Sequence, residues 1–464
     1  MYNVLQEGLQ WWGTWQRQSV NRRIFSALMT VGGLTALAKV ASAGKDVVVA
    51  YQFGAGDELD AFLMAFLIPS FAINLVGGSL NVALIPTYIE VREQEGRSAA
   101  NRLMSSTIAI TTLCLVALSL VLAFTASHIL SLVASGFSEE KLALSRSLYL
   151  ILLGTLILQG ISTTWGGVLN AVNRFALVAA VPVVTPIVML VAVLTFAHSY
   201  GAHVLALGLV GGALIETGVI GWALMREGVS LLPRWGGLTP AVRQVLGQYV
   251  PMVIGAFLMG GTGIVSQSMA ATLDPGSVSE LAYGSKITNL LLGIGATAVS
   301  TAVLPHFSQL VAVADWAGVK RTLATYARLL LMCTIPVTLM LIYFSETIVA
   351  ILFQRGAFTE ADTRIVAPIQ VMYLIQVPIY IVGMLFVRLV SALKANHVMM
   401  WGNVINLCLC LLLTYVLMQW IGVTGIALAT SLIYVFNTSF LCVMVWWLMK
   451  KASDGSKAAI AQHG

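Results

Sequence analysis

The chain has 464 residues, 58% of them hydrophobic and only 9% charged, with a mean hydropathy of +0.90; a soluble domain carries about 25% charged residues. That excludes a soluble globular protein. At about 20 apolar residues per crossing, the length accommodates about twelve membrane-spanning helices and no sizeable aqueous domain. The net charge of +6 points to membrane orientation rather than to nucleic acid, because basic residues collect in the cytoplasmic loops of polytopic proteins.

Residues 1–23, MYNVLQEGLQWWGTWQRQSVNRR, carry three tryptophans and three arginines. They lack the apolar core and small-residue cleavage site of a signal peptide and read as an interfacial or disordered segment. The apolar stretches that follow divide at polar or Gly/Pro-containing interruptions into twelve spans near 24–53, 61–89, 103–126, 142–169, 175–197, 202–225, 241–271, 279–308, 322–345, 365–390, 398–419 and 423–449. All are expected to be helices: backbone polar groups in hydrocarbon must pair within their own segment, and runs this long are not barrel strands. The segment from Met225 to Arg243 holds two prolines and three arginines. It reads as a cytoplasmic linker, 227–240, between an N-terminal lobe (24–226) and a C-terminal lobe (241–450), with 451–464 as a cytoplasmic tail.

Placing the N-terminus in the cytoplasm puts 18 of the 25 basic residues on the inside and four outside, Lys141, Arg146, Arg355 and Arg364. The outer loops also hold Asp57, Glu58 and Asp60. This asymmetry predicts that both termini face the cytoplasm. It leaves three lysines unaccounted for by topology, Lys39, Lys45 and Lys286, each inside a span.

A repeat recurs at a shift of about 220 residues. VALIPTYIE around Pro86 returns as TAVLPHFSQ around Pro305, and ASHILSLVASGF resembles SETIVAILFQRGAF, bringing Gly136 opposite Gly356. Six helices per repeat preserve orientation, so the lobes are expected to be parallel copies around a central cavity.

A lysine at mid-membrane costs about 2.5–3.5 kcal/mol on insertion scales and needs a partner or water. Lys39 and Asp46, seven residues apart, share a face and form a local ion pair in the purely structural reading, with Lys45 and Lys286 snorkelling to an interface. In the functional reading the three cations line one cavity and attract an anion, phosphate above all. Asn74 in span 2 and Asn289, one turn after Lys286, add polar contacts. Glu216, the other deep acid besides Asp46, either couples a proton or sodium ion, pairs with a lysine, or hydrogen-bonds within its lobe. Pro69, Gly77-Gly78 and Pro86 in span 2, with Pro251 in span 7 and Pro305 in span 8, make these helices the most deformable. The five cysteines lie in apolar runs as packing residues. Walker A, GxSxG and metal-ligand spacings are missing, so neither an enzyme nor a resident cofactor is expected.

FGAGDELDAF at 53–62, ILFQRGAFT at 351–359, ALIPTYIE around Pro86 and AYGSKITNLLLGIGATAVSTAVLP at 282–305 together resemble the MurJ/MviN lipid II flippases of the multidrug/oligosaccharidyl-lipid/polysaccharide exporter superfamily. The resemblance runs from about Ile24 to Lys450. It implies a V-shaped, two-lobe bacterial inner-membrane transporter that moves an undecaprenyl-diphosphate-linked peptidoglycan precursor, with cavity cations binding the head group. Carried over by position, the family's two basic residues of span 1 fall on Lys39 and Lys45, the acid of its DAF motif on Asp60, and the basic residue of span 8 on Lys286. Asp60 is expected to latch the outer mouth. Three departures stand out: the second-span arginine falls on Ile73, the acid after the span 8 cation on Asn289, and twelve spans replace the usual fourteen. The expected partners are the lipid-linked glycan, membrane lipids and cell-envelope synthesis proteins, with drive from the membrane potential, Na+ or H+. The competing readings are an exopolysaccharide or O-antigen repeat-unit flippase, a cation-coupled small-molecule exporter of the same superfamily, and a non-transporting scaffold.

Overall fold

The computed structural model describes residues 20–229, 231, 237 and 239–463. The expectation for the N-terminal segment therefore falls mainly outside the described residues, as does part of the linker. Every regular element among the described residues is helical. In chain order these are α1 (Val20–Phe53), α2 (Asp57–Gln94), α3 (Arg97–Phe124), α4 (Ala126–Val133), α5 (Glu139–Ala171), α6 (Phe175–Tyr200), α7 (His203–Arg226), α8 (Pro240–Ala270), α9 (Ser277–Ala312) and α10 (Trp316–Tyr343). After them come α11 (Ser345–Phe353), α12 (Glu360–Ala392) and α13 (Asn396–His463).

Ten of these helices are long and apolar enough to cross a membrane. α13 is two such helices, bent at Ile421 and at Gly422, whose φ is 60°. Twelve crossings are expected from the sequence; α1, with its embedded Lys39, Lys45 and Asp46, is not among the ten. Chain breaks within spans follow the helix breakers. α2 passes through a π-helical turn at Asn74–Gly78, and α6 through a 3-10 turn at Val181–Val183 where Pro182 sits. The short helices α4 and α11 occupy stretches read from sequence as loops. They are repeat equivalents, and each precedes a glycine turn.

The chain forms two compact units. Unit 1 comprises Met1–Val49, Ile68–Ala126 and Arg146–Val253; unit 2 comprises Ala50–Leu67, Ser127–Ser145 and Ile254–Gly464. These units cut across the lobes drawn from the repeat: segments 50–67 and 127–145 of the first half belong with the second half. The core of unit 1 gathers Leu84, Tyr88, Met104, Leu169 and Leu224. Its helices α6 and α7 approach closely because Gly208 and Gly212 have no side chain to hold them apart; a Cβ on Gly212 would lie 2.6 Å from Thr185 Cα. The core of unit 2 gathers Phe307, Leu385, Leu389 and Val445. Met332, Leu339 and Tyr343 of α10 are exposed, as lipid-facing side chains are. Arg226 lies 3.8 Å over the Trp222 ring, and Lys450 and Lys451 lie over Trp446 and Trp447, the aromatic–cation pairing typical of a membrane interface.

Candidate functional site

Unit 1 holds the span 1 cations, Asn74 and Glu216. Lys45 Nζ contacts Asp46 Oδ1 at 2.7 Å, both side chains being largely buried. The purely structural reading paired Asp46 with Lys39; in the structure Asp46 meets the neighbouring Lys45, whose four-carbon stem reaches across the 100° that separates adjacent helical residues. Lys39 is exposed. Asn74 is exposed and donates to the Ser70 carbonyl at 3.0 Å, at the point where the α-helix gives way to the π turn.

A cavity of about 470 Å3 opens within the same unit, with Ser42, Lys45, Gln159, Ser162, Thr185 and Glu216 in its wall. Thr185 belongs to the first turn of the helical stretch that resumes after Pro182, where backbone N–H groups lack intrahelical partners. It donates that N–H to Glu216 Oε1 at 3.2 Å. The approach depends on Gly212, one turn before Glu216 on α7. Thr217 fixes the other side of α7 by donating to the Leu158 carbonyl of α5 at 3.0 Å. Of the alternatives for Glu216, then, the hydrogen bond within the lobe is present, and Lys45 stands in the same cavity. The signal that could have located this packing is Gly208-x-x-x-Gly212, a small-residue spacing that lets membrane helices approach.

Unit 2 holds Asp60, Lys286 and Asn289. Asp60 is 1% exposed and fully engaged. Its carboxylate accepts Lys141 Nζ at 2.8 Å, the Gly276 N–H at 2.8 Å and the Ser279 N–H at 2.7 Å. It thereby caps the N-terminus of α9, where anions are stabilised by unpaired N–H groups and the helix dipole. Lys141 also reaches Asp57 at 2.5 Å and lies 4.0 Å over the Phe137 ring. Sequence reading counted Lys141 as one of four outer basic residues and gave it no further role.

Three of the four motifs that carried the family resemblance, all but ALIPTYIE, meet around this cluster. The Ala357 N–H donates to the Tyr51 carbonyl at 2.8 Å, and the Tyr283 hydroxyl donates to the Gly54 carbonyl at 3.3 Å. The Phe358 ring stands edge-on to Tyr283 at 5.3 Å. Gly54 and Gly356 have φ of 59° and 60°. A Cβ on Gly54 would lie 2.5 Å from the Ala357 carbonyl oxygen, and one on Gly356 would collide with that of Tyr51. The repeat is visible in the same contacts: Gly136, 220 residues before Gly356, packs on Ala271, 220 residues after Tyr51. Each glycine turn thus seats on the first-helix end of the other half. Gly54→Ala is expected to destabilise the protein by more than about 1 kcal/mol through φ strain and backbone collision, read as a lowered thermal midpoint of the purified protein. Gly32→Ala, where a Cβ meets nothing within 4 Å, should leave that midpoint unchanged or raised.

Lys286 is half-buried on α9, and Asn289 is exposed, donating to Ser285 Oγ at 3.2 Å. Further along α9, Ser300 Oγ accepts Nε and Nη2 of Arg388 of α12 at 3.0 and 2.6 Å, so a second cation lies against this helix. Among the described residues no group of three or more His, Cys, Asp and Glu side chains is arranged to hold a metal ion.

Embedded cations and a polar cavity in a multi-pass all-helical chain are features that membrane transporters share. Residues 49–462 match the family model described as Lipid II flippase MurJ, and the chain belongs to that family. The "Lipid II flippase MurJ" of Burkholderia cenocepacia is 27% identical over 79% of this chain and 72% of its own. The "Probable lipid II flippase MurJ" of Thermotoga maritima is 26% identical over 88% and 82%. In fold, the chain is similar to the structure described as "Lipid II flippase MurJ, inward closed conformation", with a TM-score of 0.79 and 23% identity over 93% of this chain and 91% of that one. It is also similar to an inward-facing multidrug resistance MATE family transporter, with a TM-score of 0.71 and 14% identity over 91% and 96%. Asp60, Asn74, Glu216, Lys286 and Asn289 lie within the matched stretch, whereas Lys39, Lys45 and Asp46 precede it.

Proposed function

We propose that this protein is a lipid II flippase of the bacterial inner membrane, moving an undecaprenyl-diphosphate-linked glycan by alternating access with both termini in the cytoplasm. The observation that carries the reading is the family match, which runs over residues 49–462. Lys39 and Lys45 in unit 1 and Lys286 in unit 2 are the cations offered to the diphosphate, since a doubly charged phosphate linkage requires positive charge, and Asn74 and Asn289 are the head-group hydrogen-bonding residues. The polyprenyl tail stays in lipid. Asp60, with Lys141, is the outer latch: an ion pair that can open when the gate does. Membrane potential acting on the membrane-embedded lysines supplies about 2.3 kcal/mol per charge per 100 mV, and cell-envelope enzymes that consume the product draw transport forward. No chemical step and no resident cofactor are part of this scheme.

Depleting the protein in its own cell should cause the undecaprenyl-diphosphate-linked peptidoglycan precursor to accumulate on the cytoplasmic face. Accumulation of a different lipid-linked repeat unit would transfer the assignment to an exopolysaccharide or O-antigen flippase. Cysteines introduced at Lys394 and at Glu360 should be labelled by a membrane-impermeant reagent from the cytoplasm and from outside, respectively.

A further inference from the structure

Unit 2 holds a half-buried cation besides Lys286, Arg388 of α12, whose contact on α9 is the half-buried Ser300. Of the five N–H donors of a guanidinium, Ser300 Oγ takes two, on Nε and Nη2, which leaves three without an acceptor among the described residues. No ion pair among the described residues includes Arg388. None of its nitrogens is among the buried polar atoms that lack a partner, so the uncommitted edge is open to a ligand. The fold does not call for an arginine here. After α12 the Lys394 N–H donates to the Ser391 carbonyl and the Ala395 N–H to that of Val390; after α5, 221 residues earlier, Asn173 donates to Asn170 and Arg174 to Leu169 in the same turn. At that shift Arg388 corresponds to Gly167, so the first half makes the same helix end with no side chain at all.

Ser300 also ends a line along α9. Lys286, Asn289, Gly293, Thr297 and Ser300 follow one another at steps of three or four residues and share one face of the helix. Asn289, Gly293 and Thr297 are exposed, and a Cβ on Gly293 would meet nothing within 4 Å. A face that carries lysine, asparagine, threonine and serine is costly against lipid and belongs against water or a polar ligand. At 1.5 Å per residue Ser300 lies about 21 Å along α9 from Lys286, too far for one diphosphate to touch both cations.

We propose that Arg388 is a phosphate-binding residue, held by Ser300 at the inner end of this polar face, and that a lipid-linked diphosphate entering from the cytoplasmic leaflet meets it before Lys286. With Nε and one side of Nη2 turned to Ser300, the far edge of the guanidinium presents parallel N–H groups, the fork that matches two phosphate oxygens. The direction of entry rests on the flippase reading and its topology; the anion site rests on unit 2 alone.

The test uses the full-length protein in phosphatidylcholine nanodiscs, titrated with farnesyl diphosphate and, separately, with inorganic pyrophosphate, binding being read as a saturable rise in the thermal unfolding midpoint. Farnesyl diphosphate should bind the more tightly of the two. Arg388→Gln should weaken its affinity by about tenfold or more while the ligand-free midpoint stays close to that of the wild type. Arg388→Lys keeps the charge without the fork and should fall between, and Ser300→Ala, which leaves the arginine but removes its support, should weaken binding by a smaller factor. The loss caused by Arg388→Gln should be the same in a Lys286→Ala background, because sites this far apart act independently. The proposal is overturned if the wild-type protein binds neither ligand, if Arg388→Gln binds farnesyl diphosphate as wild type does, if its effect vanishes once Lys286 is absent, or if pyrophosphate binds as tightly as farnesyl diphosphate, the mark of a free-phosphate site with no part in lipid entry. None of these outcomes changes which precursor accumulates on depletion, so the flippase reading stands or falls separately.

Discussion

Replacing Asp60 by alanine is expected to destabilise the protein by about 3–5 kcal/mol, the cost of breaking a buried ion pair from one side. Three donors converge on this carboxylate, from Lys141, Gly276 and Ser279, and its removal leaves a largely buried ammonium and two N-terminal N–H groups of α9 without their acceptor. Asp57, which also contacts Lys141, is 59% exposed and compensates only in part. Thermal unfolding of the purified protein measures the loss. Asp60→Asn should cost less, because one amide oxygen can still accept from a backbone N–H. Lys141→Met should also destabilise, and in the double variant Asp60→Asn/Lys141→Met the total should fall short of the sum of the single effects, since the two residues share one interaction. Strict additivity would show that Lys141 and Asp60 do not act as a pair, and would remove the basis for the outer latch.

The second large effect is on transport. Lys286→Ala and Lys39→Ala should each abolish flipping while the protein still inserts and accumulates in the membrane. A hydrogen-bonded contact to a charged group contributes about 1.5–3 kcal/mol, so loss of either lysine weakens substrate binding by about ten- to a hundredfold. Lys286→Arg retains the charge and adds a planar fork suited to phosphate, and should retain function. Complementation of a depleted strain reads both outcomes, with membrane levels checked on the same cells. Full complementation by both alanine variants would withdraw the lysines from the substrate site.

These two sites differ in how far a sequence reading reaches them. Lys39, Lys45 and Lys286 were conspicuous because only 9% of the chain is charged and topology accounts for the other cations. Asp60 stood out through its motif, but its partners are 81, 216 and 219 residues away, and no local pattern links Asp60 to Lys141 or to the start of α9. FGAGDELDAF and ILFQRGAFT were separate strings until the fold placed Tyr51, Gly54 and Ala357 in contact. The Lys39–Asp46 pair of the purely structural reading followed helical periodicity, and the observed Lys45–Asp46 pair followed the reach of a flexible side chain. Glu216 was recognised as a deep acid; its contact with Thr185 required the close approach of α6 and α7 that Gly208 and Gly212 allow.

The amino-acid sequence by itself determined that this protein is a multi-pass helical membrane protein built on a repeat. Hydrocarbon leaves backbone groups no partner outside their own helix, so length and apolarity settle the element type. It also determined which buried charges call for an explanation, because each is costly in lipid. Only the tertiary structure decided which side chains meet. A helix that is apolar on all sides carries no face preference that would set its rotation against its neighbours. That rotation comes from small-residue packing and interhelical hydrogen bonds between segments far apart in the chain, and it sets both the buried environment of Asp60 and the cavity beside Glu216.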